Sequence, residues 1–446
     1  MKKVLIITYY WPPSGGAGVQ RWLKFTKYLR EFGWEPIIYT PENPESPIND
    51  ASLAKDVPEG LTVLKTTIWE PYLFYKRLIG QKKTDKINAA FLTESKKPKR
   101  MEKLAVWIRG NFFIPDARVF WVKPSIEYLV NYLQKNPVDA IISTGPPHSM
   151  HLIADGIKKK INIPWIADFR DPWTEIDFYS KLMLTPMADS KHKKLELKVL
   201  HNADVVTCVG QNWMENLEAI LKKDSPEKFT PQVQAKFKFI SNGYDPDDYA
   251  NTGEVKMDKK FTMAHIGTLD KSRNQPVLWK TLAEIIKKNL GFAADLEIKL
   301  VGKVDIFVQD DIEKNGLTPY LNKISYLSHH DVTIVQKQAQ VLMLLINNTP
   351  NAKGITTGKF FEYMAARRPI LCIGIPDGDA EKIINETHAG LFAGFDDATA
   401  MEKNILYFYN KYKEGKLASE GVNIEKYSRK MLTGELSNVL NTISSR

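Results

Sequence analysis

The sequence predicts an α/β protein made of two doubly wound parallel-sheet domains in tandem. Three observations carry this reading. β-rich runs alternate with amphipathic helical runs over most of the 446 residues, nearly every β-rich run stops at a turn-forming residue, and the alternation restarts after a turn-rich, charged stretch at 242–260. At roughly 150 residues per domain, a chain of this length has room for two or three hydrophobic cores.

The first unit opens with VLIITYY (4–10), an apolar run of strand length. After a Gly-rich turn, Val19, Trp22, Phe25, Leu29 and Phe32 recur at spacings of three and four, one face of a helix that Gly33 closes. EPIIYT (35–40), VDAIIST (138–144), INIPWIADF (161–169), ADVVTCVG (203–210) and KFKFIS (236–241) continue the strand series. A second series follows as FTMAHIG (261–267), LEIKLVG (296–302), QVLMLLI (340–346) and RPILCIG (368–374). The expected organisation is a first domain over 1–245, a linker over 246–260, a second domain over 261–424, and a terminal helical segment over 425–446.

Composition narrows the function classes. Apolar residues make up 43% and charged residues 26%, ordinary globular usage that excludes a disordered or fibrous chain. The two cysteines, Cys208 and Cys372, offer neither a disulfide framework nor metal-ligand spacing, which fits a reducing, cytoplasmic compartment. The opening apolar run is too short for a signal peptide, and no stretch approaches the roughly 20 apolar residues of a membrane span. The net charge of +10 favours anionic partners, and between Lys76 and Lys103 ten basic residues face three acids, a local net of +7.

Ligands of open parallel sheets bind beyond the carboxyl ends of the strands, so residues directly after strands are the candidates. SGGAGVQR (14–21) follows the first strand; Gly15 and Gly16 let backbone approach a ligand, and the helix that follows presents unpaired N–H groups to negative charge. Its spacing is not GxGxxG and no acid ends the second strand, which disfavours a nicotinamide or flavin dinucleotide. In NAKGITTGKFFEYMAARRPILCIG (351–374), Thr356, Thr357 and Gly358 precede an amphipathic helix, and Lys359 adds a cation to its first turn. Hydroxyls, free N–H groups and the positive end of the helix dipole then converge in a way that suits a diphosphate. Glu362 lies one turn on, where a carboxylate can accept from ribose hydroxyls or simply complement the dipole. HIGTLDKSRNQP (265–276) sets Thr268, Lys271 and Arg273 after another strand, either a solvated loop or a phosphate clamp.

TGKFFEYMAARRPIL, HIGTL with its downstream Arg273, the early glycine loop, DFRDPW (168–173) and SNGYD (241–245), taken in order along nearly the whole chain, resemble the retaining glycosyltransferases of family 4, of the GT-B fold. IPDARVFW (114–121) and TGPPHSMHL (144–152) are similar to a subset that builds bacterial surface polysaccharides. The resemblance implies two Rossmann-like domains facing a cleft, a nucleotide-sugar donor held by the second, an acceptor held by the first, and a final helix crossing back to the first. It implies that Glu362 binds ribose, that Thr357 and Gly358 lie by the diphosphate, that Arg273 neutralises it, and that Gly16 places its N–H near the leaving phosphate.

Two positions depart from the family pattern. A second glutamate usual eight residues before the first is here Gly354, beside Lys353, which leaves the sugar undetermined. An arginine usual after the glycine of the GTL turn is here Thr268, and Lys359 or Lys271 is expected to supply the charge. His148 is read either as a donor or acceptor contact or as a local cap. Asp168 and Arg170, with Asp171, are read either as an internal salt-bridge network or as an acceptor site.

The expected activity is retaining transfer of a sugar from a UDP- or GDP-linked donor to a saccharide or lipid-linked saccharide, without cofactor or metal, since cations and a helix N-terminus can stabilise the departing diphosphate. A nucleotide-sugar epimerase and a non-catalytic nucleotide-sugar-binding protein are the alternatives. Nucleic acid is not an expected partner, because no recognition helix, finger or RRM signature occurs. The basic stretch with interleaved aromatics from Tyr72 through Phe113 fits either an anionic membrane surface, at the inner face of the cell membrane, or a solvated face.

Overall fold

A computed structural model describes residues 1–45, 49–71, 100–250, 253–325 and 327–445. The chain divides into two compact units, Met1–Ser241 with Arg429–Arg446, and Asn242–Ser428.

The first unit holds a seven-stranded, wholly parallel sheet: β1 (Lys2–Ile7), β2 (Trp34–Pro41), β3 (Thr62–Thr66), β4 (Ala140–Gly145), β5 (Trp165–Phe169), β6 (Val205–Cys208) and β7 (Phe237–Phe239), in the order β3-β2-β1-β4-β5-β6-β7. Ile6 pairs with Ile38 on one side and Ile142 on the other, so the centre is apolar on both faces, as helices covering both faces require. The helix Ala17–Leu29 buries Val19, Trp22, Phe25 and Leu29 as their spacing predicts, and Gly33, at φ 82°, ends the turn that follows.

The last helix, Arg429–Ser444, belongs to this first unit. Leu432, Leu436, Leu440 and Ile443 pack into the same core as Val19 and Leu23, each such side chain worth about 1.5–3 kcal/mol on burial. The final helix begins at Arg429, and Ile424–Tyr427 before it is a single 3-10 turn.

The second unit holds a six-stranded parallel sheet: β8 (Phe261–Ile266), β9 (Leu296–Val301), β10 (Leu321–Ile324), β11 (Val341–Leu345), β12 (Ile370–Gly374) and β13 (Gly390–Gly394), in the order β10-β9-β8-β11-β12-β13. Leu278 and Trp279 from one helix and Ile405 and Phe408 from another cover the sheet with apolar side chains. Both units are doubly wound, and together they make the GT-B fold the sequence predicts.

Several boundaries shift from the sequence expectation. β1 stops at Ile7 rather than at Tyr10. β5 starts at Trp165 because Pro164 lacks the N–H a ladder needs, and β7 shrinks to three residues. The turn-rich stretch 242–260 includes a helical turn, Asp247–Ala250, that buries Tyr249.

Candidate functional site

In each sheet the strand order reverses at one point, between β1 and β4 in the first and between β8 and β11 in the second, which is where doubly wound folds open a crevice. The candidate residues cluster behind those strands.

In the second unit, the helix Gly358–Ala365 follows β11. Phe360, Phe361, Tyr363 and Met364 are fully buried, which leaves Glu362 on the opposite, half-exposed side. Among the described residues its first turn has no side-chain cap and no acid; the Phe360 N–H donates to the Thr357 carbonyl at 3.1 Å, while those of Gly358 and Lys359 precede the first intrahelical bonds and can face an anion. Among the described residues, Thr357 Oγ1 is buried without a hydrogen-bond partner, and a Cβ added at Gly358 would meet no atom within 4 Å. The helix start is fixed to the end of β8 by the Ile266 N–H, which donates to the Tyr363 hydroxyl at 2.9 Å.

Gly267, directly after β8, has φ 113°, a left-handed conformation that favours glycine. The Lys359 side chain lies against this α-carbon, so that any Cβ at 267 would collide with its Cε and Nζ. Lys359 has no hydrogen-bond or ion-pair partner among the described residues. Burial, and then the Arg273 guanidinium, push its pKa down to about 7.

Asp270 caps the turn Lys271–Arg273, accepting from Ser272 N–H at 2.9 Å and pairing with Arg273 Nη1 at 2.8 Å. Lys271 turns elsewhere, its ammonium 4.4 Å from the centre of the Phe307 ring. Of the two lysines considered for the missing arginine, Lys359 lies on the Gly267 turn. Thr268 is half-buried in that turn, and Gly354 is buried in the 3-10 turn Ala352–Gly354.

Glu362 is oriented by residues that sequence reading did not single out. Gln336 Nε2 donates to its Oε2 at 3.3 Å, and the Tyr249 hydroxyl lies 2.6 Å from Gln336 Oε1 and 3.0 Å from the Glu362 carbonyl oxygen. Gln336 comes from a different helix, His329–Gln338, so no local spacing announces it. Tyr363 was legible only as an apolar-face position. His265 on β8, pushed to about 3 by burial and then by Lys359, is neutral beside it.

In the first unit, Gly16, at φ 89°, is the N-cap of the helix Ala17–Leu29 and has no side-chain substitute. Gly15 precedes it in the same loop. Arg170 staples this loop to the end of β4: Nη1 donates to the Gly18 carbonyl at 2.9 Å, Nη2 to that of Pro146, and its own N–H to Gly145 at 2.9 Å.

Asp168 is 0% exposed, and both of its oxygens are engaged. Arg21 donates to it from Nε and Nη2 at 3.2 and 2.9 Å, Trp22 Nε1 at 2.9 Å, Thr144 at 2.9 Å and Thr207 at 2.8 Å. Burial alone would raise its pKa, but Arg21 and these donors hold it below the usual carboxylate range. The carboxylate thus ties β4, β5, β6 and the first helix together.

His148 stacks on Trp173 with centroids 4.5 Å apart, and burial pushes its pKa well down, with His151 adding to the effect. His148 Nδ1 and His151 Nε2 have no hydrogen-bond partner among the described residues, and a Cβ at Gly145 would stand 2.8 and 2.6 Å from them. The helix Ser149–Lys158 is capped from outside by Asp116 of the IPDAR segment, which accepts from the Ser149 N–H at 2.9 Å and its hydroxyl at 2.8 Å.

The structure therefore brings Thr357, Gly358, Lys359, Glu362, Thr268 and Arg273 around one helix start, and Gly15, Gly16 and Arg170 around another, with Lys271 and Asp168 directed away.

No protein-family model and no curated protein sequence matches the chain. Solved structures do. Sucrose-phosphate synthase from Thermosynechococcus elongatus matches 100% of this chain and 97% of its own, at 12% identity and a TM-score of 0.56. HepE from Anabaena, solved in complex with UDP-glucose, matches 100% and 98% at 10% identity and a TM-score of 0.54. UDP-GlcNAc 2-epimerase from Methanocaldococcus jannaschii matches 99% of both chains at 11% identity and a TM-score of 0.51. At such identities the likeness is one of fold, and it spans the whole chain.

Proposed function

We propose that the protein is a retaining glycosyltransferase that moves a sugar from a UDP- or GDP-linked donor to a saccharide or lipid-linked saccharide, in surface polysaccharide synthesis. The observation that carries the proposal is the start of the helix Gly358–Ala365, which has no side-chain cap, with the Lys359 amine, unpaired among the described residues, beside it, Arg273 in the adjoining turn and the Glu362 carboxylate one turn on. That is the charge order of a nucleoside diphosphate: two phosphates against N–H groups and cations, then a ribose diol against an acid.

In this reading the second unit holds the donor. Thr357 and Gly358 contact the diphosphate, Glu362 the ribose, and Thr268 lines the turn between them. Cleaving the anomeric C–O bond leaves negative charge on the diphosphate, and Arg273, Lys359 and the helix dipole stabilise it without a metal. The proton of the acceptor hydroxyl passes to the departing phosphate oxygen, so no glycosidase-like pair of carboxylates is needed. The first unit holds the acceptor, with Gly16 and His148 at its strand ends, while Asp168 and Arg170 position the walls.

A peripheral seat on the inner face of the cell membrane fits a lipid-linked acceptor. Trp69, Phe112 and Phe120 are 62%, 66% and 49% exposed in the first unit, and most of the basic stretch of the sequence (72–99) lies outside the described residues. Among the described residues no helix is long and apolar enough to cross a membrane.

The epimerase reading has one observation in its favour, the likeness to a UDP-GlcNAc 2-epimerase. The two separate in one experiment: the protein is incubated with UDP- and GDP-sugars with and without cell-derived lipid-linked saccharides. Acceptor-dependent release of nucleoside diphosphate, with the donor's anomeric configuration kept, supports transfer. Sugar conversion without acceptor favours the epimerase, and binding without turnover the non-catalytic protein.

A further inference from the structure

The Glu362 carboxylate is half-exposed, so water alone would satisfy it, yet a buried amide is bonded to it. Gln336 is 1% exposed and donates from Nε2 to Glu362 Oε2 at 3.3 Å. That amide is fixed from its other end. The hydroxyl of Tyr249, also buried, donates to Gln336 Oε1 at 2.6 Å, and the reversed amide would set its oxygen against a carboxylate oxygen.

Tyr249 is itself held in place. Its carbonyl accepts from Lys337 Nζ at 2.8 Å, its hydroxyl also lies 3.0 Å from the Glu362 carbonyl oxygen, and Asp248 beside it lies 3.2 Å from His329 Nε2. The turn Asp247–Ala250 is thereby fastened to both ends of the helix His329–Gln338. Among the described residues no other hydrogen bond or ion pair reaches the Glu362 carboxylate, so Oε1 stays open.

We propose that Tyr249 and Gln336 are positioning residues that turn the Glu362 carboxylate to meet a ribose diol, and so give the site a preference for ribonucleotides over 2′-deoxyribonucleotides. This rests on the ribose role given to Glu362 above. A diol offers two O–H donors side by side, and a carboxylate accepts both only when its plane is aligned with them. The last torsion of a glutamate is broad, and the Gln336 N–H narrows it. Both bonds of the relay end on a buried amide, where the low local dielectric strengthens them. A site built to bond a hydroxyl rejects the analogue that lacks it, because a polar group then loses its partner. A carboxylate free to turn towards water loses that discrimination.

The test is calorimetric titration of UDP and GDP, their 2′-deoxy counterparts, and UMP and GMP into the full chain. The wild type is expected to favour at least one ribonucleoside diphosphate over its deoxy form by about tenfold or more, the worth of a hydrogen bond to a charged group. Gln336→Met keeps the side-chain length and Tyr249→Phe keeps the ring. Each is expected to bring the ribose preference most of the way to parity, while the preference for diphosphate over monophosphate stays as in the wild type. A ribose preference unchanged in both variants overturns the positioning role and leaves the reading of Glu362 in place. Loss of the diphosphate preference along with it also overturns that role, since the change then reaches the whole site. If the wild type binds neither UDP nor GDP, or binds them with no ribose preference, the reading of Glu362 falls and the inference with it.

Discussion

Lys359 and Gly267 are in contact: the aliphatic end and ammonium of the lysine rest on the glycine α-carbon, in the space a side chain would occupy. Glycine at 267 thus does two things. It allows the φ of 113° directly after β8, and it gives the lysine its seat beside Arg273. Gly267→Ala is expected to destabilise the second unit by about 1–3 kcal/mol through backbone strain, and to weaken nucleoside diphosphate binding by displacing Lys359. Urea unfolding and calorimetry on the same variant check both parts; unchanged affinity would remove the lysine from the site.

Glu362 presents its carboxylate under the orientation of Gln336. Replacing it with alanine removes a charged acceptor from two ribose hydroxyls, expected to cost about 1.5–3 kcal/mol of donor affinity, roughly ten- to a hundredfold. Circular dichroism should be unchanged, because the side chain is not part of the core. Undiminished nucleotide-sugar affinity would contradict its role.

Much of this was legible in the sequence, and what was missed has a pattern. The ten strands foreseen include the whole centre of both sheets, where near-continuous apolar runs such as Leu342–Ile346 admit little else. The three unforeseen strands, β3, β10 and β13, all lie at sheet edges. Thr62–Thr66 alternates with lysine and threonine, Leu321–Ile324 contains Asn322 and Lys323, and Gly390–Gly394 begins and ends on glycine, so none carries the apolar signal of a buried strand. At the site, the helix start and its cations could be read from TTGK and KSR. Which lysine faces the turn could not, because Phe307, which draws Lys271 away, comes from beyond β9. Gln336 and Tyr249, likewise, meet Glu362 only through tertiary packing.

Asp168 illustrates a motif residue whose chemistry is internal. Asp168→Asn leaves Arg21 buried without its counter-charge and is expected to destabilise the first unit by about 3–5 kcal/mol in urea unfolding. The pH sign follows from its lowered pKa. The stabilisation is fully present above the unfolded aspartate value of about 3.9 and is lost as pH falls through the lower folded value. The wild type should therefore lose stability in acid more steeply than the variant does. Parallel acid-unfolding curves would contradict the network.

The membrane reading is tested by charge reversal of Lys96, Lys97, Lys99 and Arg100, whose side chains lie outside the described residues. Each basic residue near an anionic surface contributes on the order of 1 kcal/mol. Co-sedimentation with vesicles containing phosphatidylserine should fall sharply in the variant and be insensitive to it with neutral vesicles. No change would leave the exposed Trp69, Phe112 and Phe120 as an ordinary surface.

The most direct measurement compares nucleoside mono- and diphosphates on the wild-type chain. If the start of the helix Gly358–Ala365 receives the second phosphate between Lys359 and Arg273, then UDP or GDP binds at least about tenfold more tightly than its own monophosphate, a difference of about 1.4 kcal/mol by calorimetry. Equal affinity for the two members of each pair would contradict the account.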